Sequence, residues 1–200
     1  GLKIKIIIIN IMTGKNYSCN NKAENRSKND LYQTPYSMTR LLLHNEYFDY
    51  NKSILEPCCG HNAIVDILKE KWNENLITYY DIEKDFFTET KQYEYSILNP
   101  PYKLAYEFIL KCKSVCKKFA MLLPLNYLHG KKRYDNIYCD TDYPLKKVYV
   151  FTRYPLLTCE DVRQDGKYKT GMMVYAWFIF EKGFENEATI KWLDNNNDVI

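Results

Sequence analysis

Two adjacent prolines place the tightest constraint on this chain. The apolar run Ser96-Ile97-Leu98 ends in Asn99-Pro100-Pro101-Tyr102. Neither proline has an N–H to give to a sheet, and each ring fixes its own φ. The residue before a proline is pushed to extended backbone. A strand ending here must therefore leave its sheet at Asn99 in a stiff, extended turn. That turn carries the Asn99 carboxamide, the Pro100 carbonyl and the Tyr102 ring on one short segment. An amide oxygen and a backbone carbonyl can both accept from one exocyclic amino group, while an aromatic ring stacks on the planar base that bears it. The same residues also serve as plain loop punctuation, so the surrounding chain has to decide.

Strand-like and helix-like stretches alternate around the turn. Thr34 as N-cap, with Pro35 in the first helical position, predicts a helix carried by Met38, Leu41 and Leu42 to about His44. Ser53 to Glu56 predicts a strand, followed by a tight turn through Gly60. A helix with Ile64, Ile67, Leu68 and Trp72 on one face comes next. A second strand covers Asn75 to Ile82, with Asp81 near its end, and Tyr93 to Asn99 is a further strand. Leu104, Phe108, Ile109, Cys112 and Val115 form a helical stripe, and Phe119 to Leu123 is apolar enough for a central parallel strand. Lys131-Lys132-Arg133 opens a short helix. Strands are expected at Leu145 to Thr152 and Met172 to Phe180, with a short edge strand at Thr189 to Leu193. This alternation predicts an α/β fold, a Rossmann-like, doubly wound and mostly parallel sheet.

Composition narrows the setting. At 200 residues the chain suits one domain at 30–200, preceded by a mobile arm at 1–29 whose stretch from Thr13 to Asn29 is rich in Asn, Lys and Ser. A net charge of +3 permits a polyanionic partner without demanding one. The 7 Cys show no zinc-ligand spacing, so reduced thiols, no disulfide and no metal are expected. Leu2 to Ile11 is too short and too interrupted by lysine to span a bilayer, and Met12 is a candidate start. A cytoplasmic protein with no membrane partner, favoured as a monomer, fits these features.

Asn99-Pro100-Pro101-Tyr102 behind a hydrophobic strand resembles the catalytic motif of S-adenosylmethionine-dependent amino methyltransferases, most of all the N6-adenine DNA enzymes. The resemblance runs from about Tyr32 to Phe180, in the ordered series Thr-Pro, Glu-Pro-x-x-Gly, Asp81 and Asn-Pro-Pro-Tyr. It implies a class I methyltransferase domain with Asn99, Pro100, Pro101 and Tyr102 catalytic. It places Tyr32, Thr34 and Pro35 over the methionine end of the cofactor. Glu56, Pro57, Cys58 and Gly60 match the first cofactor motif, with Asn62 where the family has a second glycine; Asn tolerates left-handed backbone better than most residues. Asp81 would accept the ribose hydroxyls and Ile82 would meet the adenine face. Asp85 and Phe86 match the family's receiver of the adenine amino group. The gap before them is too short for the usual helix and strand, so either that strand is vestigial or the match is chance.

The long connection from Arg153 to Gly171 carries Arg153, Tyr154, Arg163, Lys167 and Lys169. Loops of this length are functional or disordered, and this content suits a lid that grips a nucleic-acid backbone. By resemblance, Tyr154 stacks on the target base. The expected reaction is methyl transfer to adenine N6, with DNA favoured over RNA as substrate. RNA adenine, a protein glutamine amide and a catalytically silent cofactor-binding scaffold are the alternatives.

Overall fold

A computed structural model describes residues 33–81, 84–153 and 173–195. Seven strands form one sheet: β1 (Ile54–Glu56), β2 (Ile77–Tyr79), β3 (Tyr93–Leu98), β4 (Cys116–Pro124), β5 (Leu145–Phe151), β6 (Tyr175–Glu181) and β7 (Thr189–Leu193). Their order is β2-β1-β3-β4-β6-β5-β7. β2, β1, β3 and β4 are mutually parallel, β6 runs antiparallel between β4 and β5, and β7 lies parallel to β5 at the edge. The chain steps outward from β1 to β2 and then returns to the other side of β1 for β3. Such a reversal opens a crevice beyond the carboxyl ends of the two strands. Glu56 closes β1 there and Asn99 follows β3.

Helices α1 (Tyr36–Asn45) and α2 (Ala63–Lys69) cover one face, and α3 (Ala105–Val115) covers the other. The short α4 (Lys131–Arg133) continues into a π turn, Tyr134–Tyr138, whose Ile137 joins the α3 side. Strand alternation divides the core. Ala120, Leu122, Trp177 and Ile179 face α1 and α2, whereas Phe119, Met121, Phe178 and Phe180 face α3. Strands buried on both faces have no polar side, which is why Phe119–Pro124 of β4 and Tyr175–Phe180 of β6 read as unbroken apolar runs.

One local expectation changes and another, the short gap after β2, is met. α1 begins one residue late: Pro35 is its N-cap at φ −55° and ψ 138°, no side chain caps it, and the Thr34 hydroxyl serves elsewhere. Between β2 and β3 the described residues hold a single 3-10 turn, Phe86–Thr88, and no strand. The strand bearing the two prolines is therefore the third in the chain, and β2 is the sheet's edge. There is no room for a crossover helix and another strand. Phe86 instead packs on Phe108 at 5.2 Å between ring centres, and the buried Glu89 takes hydrogen bonds from Tyr80 and Lys84.

At the amino end of the sheet, Glu46 is 4% exposed and Lys118 5%. Lys118 Nζ donates to Glu46 Oε1 at 2.6 Å, Lys147 Nζ to Oε2 at 2.8 Å, and Lys146 Nζ approaches Oε1 at 3.3 Å. The Tyr149 hydroxyl donates to Oε2 at 2.9 Å. Burial works against the ionised carboxylate, but the hydrogen bonds from Lys118 and Lys147 outweigh it and hold Glu46 down to about 2. For Lys118 burial wins, and its pKa falls below the ordinary lysine value despite the contact with Glu46.

Replacing Glu46 by Gln leaves three ammonium groups facing a neutral amide, and should cost about 3 kcal/mol in urea unfolding at pH 7. Glu46 has a folded pKa of about 2 against an ordinary 4.5, so its contribution is complete above pH 4.5 and drains as pH falls to about 2. The gap between wild type and variant should close across that window. A gap that stays constant with pH contradicts the assignment.

Candidate active site

The crevice is assembled from the ends of β1 and β3. Ile54 pairs with Tyr95 and Leu55 with Ser96, so the residues after each strand emerge side by side. On the β1 side, Glu56 is 0% exposed. Its Oε1 accepts from the Cys58 backbone N–H at 3.0 Å, while Oε2 is buried with no hydrogen-bond partner among the described residues. Burial pushes the Glu56 carboxyl up to about 8; the Cys58 contacts hold it back in part, and the Asp81 carboxylate adds repulsion. Burial raises the Cys58 thiol as well, helped by the Glu56 charge.

The turn after β1 is left-handed at Gly60, with φ 49°, and at Asn62, with φ 64°. Asn62 therefore adopts the backbone a second glycine would supply, and α2 starts directly after it. The β1–β2 ladder continues past the strands, since Tyr80 N–H donates to the Glu56 carbonyl at 3.2 Å and Cys59 N–H to the Tyr80 carbonyl at 3.1 Å. This carries Asp81 to the same rim as Glu56.

On the β3 side, Asn99 Nδ2 donates to Thr34 Oγ1 at 3.1 Å. That contact turns the carboxamide so that its oxygen lies on the side away from Thr34. Thr34 is 4% exposed. The Cys58 thiol donates to the Asn99 carbonyl at 3.5 Å, a weak link joining the two strand ends. Pro100 is buried, and Tyr102 opens a 3-10 turn leading into α3. The Tyr102 ring touches both core layers and packs on Tyr175, at 5.6 Å between centres and 32° between planes.

Thr34, Glu56, Cys58, Gly60, Asp81, Asn99, Pro100 and Tyr102 thus gather at the carboxyl ends of the parallel strands. Pro57 is buried in the turn and Pro35 sits at the head of α1. Asp85 and Phe86 are engaged locally: the exposed Asp85 accepts from the Phe87 N–H at 2.9 Å, and Phe86 is core. Arg153 is exposed just past β5, clasped through its backbone by Asn195. Tyr32, Ile82, Tyr154, Arg163, Lys167 and Lys169 lie outside the described residues. The Thr34–Asn99 contact was missed at the level of sequence, where Thr34 read as a cap; the pairing spans the fold and has no local signal.

No family model matches the sequence, and no curated protein matches it. Solved structures do match the fold. A protein of Pyrococcus horikoshii inferred to be an RNA methyltransferase superimposes with TM-score 0.54 at 13% identity, covering 90% of this chain and 98% of its own. The M protein of the type I restriction enzyme EcoKI gives 0.56 at 12% identity, covering 86% of this chain and 51% of its own. A Listeria monocytogenes protein inferred to be a class I S-adenosylmethionine-dependent methyltransferase gives 0.51 at 11%, covering 94% and 72%. The architecture is that of the class I methyltransferases, Rossmann-like with a mostly parallel sheet. Among the described residues, no helix is long and apolar enough to cross a membrane.

A carboxyl whose folded pKa of about 8 stands above its ordinary 4.5 imposes no penalty below pH 4.5, and a growing one up to pH 8. Glu56→Gln should match wild type near pH 4.5 in thermal unfolding. At pH 8 it should be more stable by on the order of 3 kcal/mol. Parallel pH profiles for the two proteins are the contrary result.

Proposed function

We propose that this chain is an S-adenosylmethionine-dependent methyltransferase acting on the N6 amino group of adenine in nucleic acid, DNA first. The observation that carries the reading is Asn99-Pro100 at the switch point of the sheet, its carboxamide turned by Thr34, beside a buried acid. The site suits the cofactor on its own terms. Glu56 Oε2, buried and without a donor among the described residues, is complementary to an ammonium group. The left-handed turn at Gly60 and Asn62 lets backbone come close to a ligand.

In this assignment Glu56, Pro57, Cys58 and Gly60 hold the amino-acid end of the cofactor, with Tyr32, Thr34 and Pro35 over it. Asp81 takes the ribose, and Ile82 and Asp85 the adenine end, while Phe86, packed in the core on Phe108, takes no part. The bound sulfonium supplies an electrophilic methyl group. Asn99 Oδ1 and the Pro100 carbonyl accept hydrogen bonds from the two N–H groups of the target amino group, whose lone pair is otherwise delocalised into the ring. Both acceptors strengthen their hold as positive charge develops on nitrogen, so they favour the transition state over the ground state. The methylated nitrogen is acidic enough to lose its proton to water. The target base must leave a duplex first, at a cost of a few kcal/mol, and Tyr102, braced by Tyr175, offsets this by stacking. Arg153, Tyr154 and Lys167 complete the nucleic-acid side. A second reading, adenine in RNA, draws on the 98% coverage of the Pyrococcus protein.

Asn99→Ala should lower turnover by more than ~100-fold, as for the loss of one transition-state hydrogen bond. Cofactor binding, followed by calorimetry, should be nearly unchanged. The assay is tritium transfer from labelled cofactor onto DNA, RNA and protein pools, with nucleoside analysis of the product. Near-normal N6-methyladenine formation in DNA or RNA by the variant, or label in protein alone, refutes the proposal.

A further inference from the structure

Beside the Asn99–Tyr102 turn lies a basic and aromatic shelf with no role in the chemistry above. Tyr106 stands one helical turn beyond Tyr102, on the first turn of α3. The exposed Lys132 places its Nζ 3.9 Å from the centre of the Tyr106 ring. Arg133 is held three ways. Its guanidinium lies 4.4 Å from the centre of the Tyr127 ring, and its Nε donates to the His129 carbonyl at 2.7 Å. It also rests against Gly130, where φ is +124° and a Cβ would come within 2.9 Å of Nη2. Lys103 is exposed nearby, and Tyr134 is 58% exposed. Asp135 neutralises Lys131, but no carboxylate pairs with Lys132 or Arg133 among the described residues. The shelf is anchored at its far end as well, where Lys113 Nζ, from α3, donates to the Ile137 carbonyl at 3.3 Å and to Asp140 at 2.7 Å.

Cations stacked on rings and pinned by backbone are pre-organised, so little rotamer entropy is lost when they meet a phosphate. A merely solvated charged face needs neither the stacking nor the glycine. An exposed ring among fixed cations is the arrangement that binds unpaired polynucleotide, with phosphates on the cations and a base on the ring. We propose that Lys103, Tyr106, Lys132, Arg133 and Tyr134 form the platform that grips the single strand flanking the target base. This rests on the reading of the chain as a nucleic-acid methyltransferase.

The test uses the full chain, adenine-containing single-stranded DNA and RNA 12-mers followed by fluorescence anisotropy over a salt series, and the tritium-transfer assay. The double variant Lys132→Glu/Arg133→Glu should weaken binding at least 10-fold. It should also flatten the slope of log K against log salt by roughly 1.4, about 0.7 for each lost phosphate contact. Tyr134→Ala should weaken binding ~5-fold or more with the slope unchanged, as for loss of one stacked base. Lys132→Gln serves as the milder variant, and cofactor binding by calorimetry confirms that each protein is folded. Lys191→Glu, on the exposed edge strand β7, makes a charge reversal away from the shelf and should behave as wild type. The arm that binds more tightly, DNA or RNA, identifies the strand. If wild type methylates nucleic acid and the shelf variants bind it like Lys191→Glu, the platform is wrong and the methyltransferase reading stands. If wild type labels no nucleic acid, that reading fails and the platform falls with it.

Discussion

The crevice depends on β1 and β3 ending together. Parallel pairing of Ile54 with Tyr95 and Leu55 with Ser96 sets the register. That register in turn decides that a buried acid and an Asn-Pro-Pro turn emerge side by side. A shift of one residue would turn every side chain to the opposite face and send Glu56 and Asn99 to different layers. The prolines then prevent β3 from continuing past its neighbour, and Thr34, arriving from the head of α1, sets the rotation of the Asn99 amide. Three distant parts of the chain thus define one short row of acceptors, none of which is precise alone.

Two buried glutamates show how differently the fold treats the same side chain. Glu46 is surrounded by Lys118, Lys146, Lys147 and the Tyr149 hydroxyl, and both its oxygens are satisfied within the protein. It serves to tie the end of α1 to β4 and β5. Glu56 receives one backbone N–H on one oxygen, and its other oxygen is left in a dry site near a second carboxylate. A fold that can bring three lysines to one acid has no difficulty meeting such a need. The unmet oxygen lies at the crevice, and ionising its carboxyl there costs the folded protein stability.

Much of this was legible in the sequence because the signals were local. Continuous apolar runs announced β4 and β6, whose burial on both faces leaves no polar alternation to read. The edge strand at Thr189–Leu193 and the left-handed tolerance of Asn62 also follow from residue type. What could not be read was pairing across the fold. Thr34 looked like a helix cap because a Thr-Pro pair is a good cap, yet its hydroxyl belongs to Asn99, 65 residues away. The lysines of the Glu46 cluster, Lys118 just ahead of an apolar run and Lys146 and Lys147 inside a strand pattern, gave no hint of a common partner. The shortness of the stretch between Tyr80 and Tyr93, by contrast, was legible from its length, and the described residues there hold one 3-10 turn and no strand.

That missing strand has a physical consequence. β2 becomes the edge of the sheet, and an open edge invites pairing with other chains. Here the strand is three residues long, and the chain beyond it is drawn over the α3 side by Phe86 and Phe87 against Phe108. Glu89 accepts from the Tyr80 hydroxyl at 3.2 Å and from Lys84 Nζ at 2.6 Å, so the segment after β2 is tied down by charge as well as by rings. A short, capped edge needs no further strand to protect it. The helix and strand for which this gap is too short can therefore be absent while β1, β3 and the crevice between them keep their places.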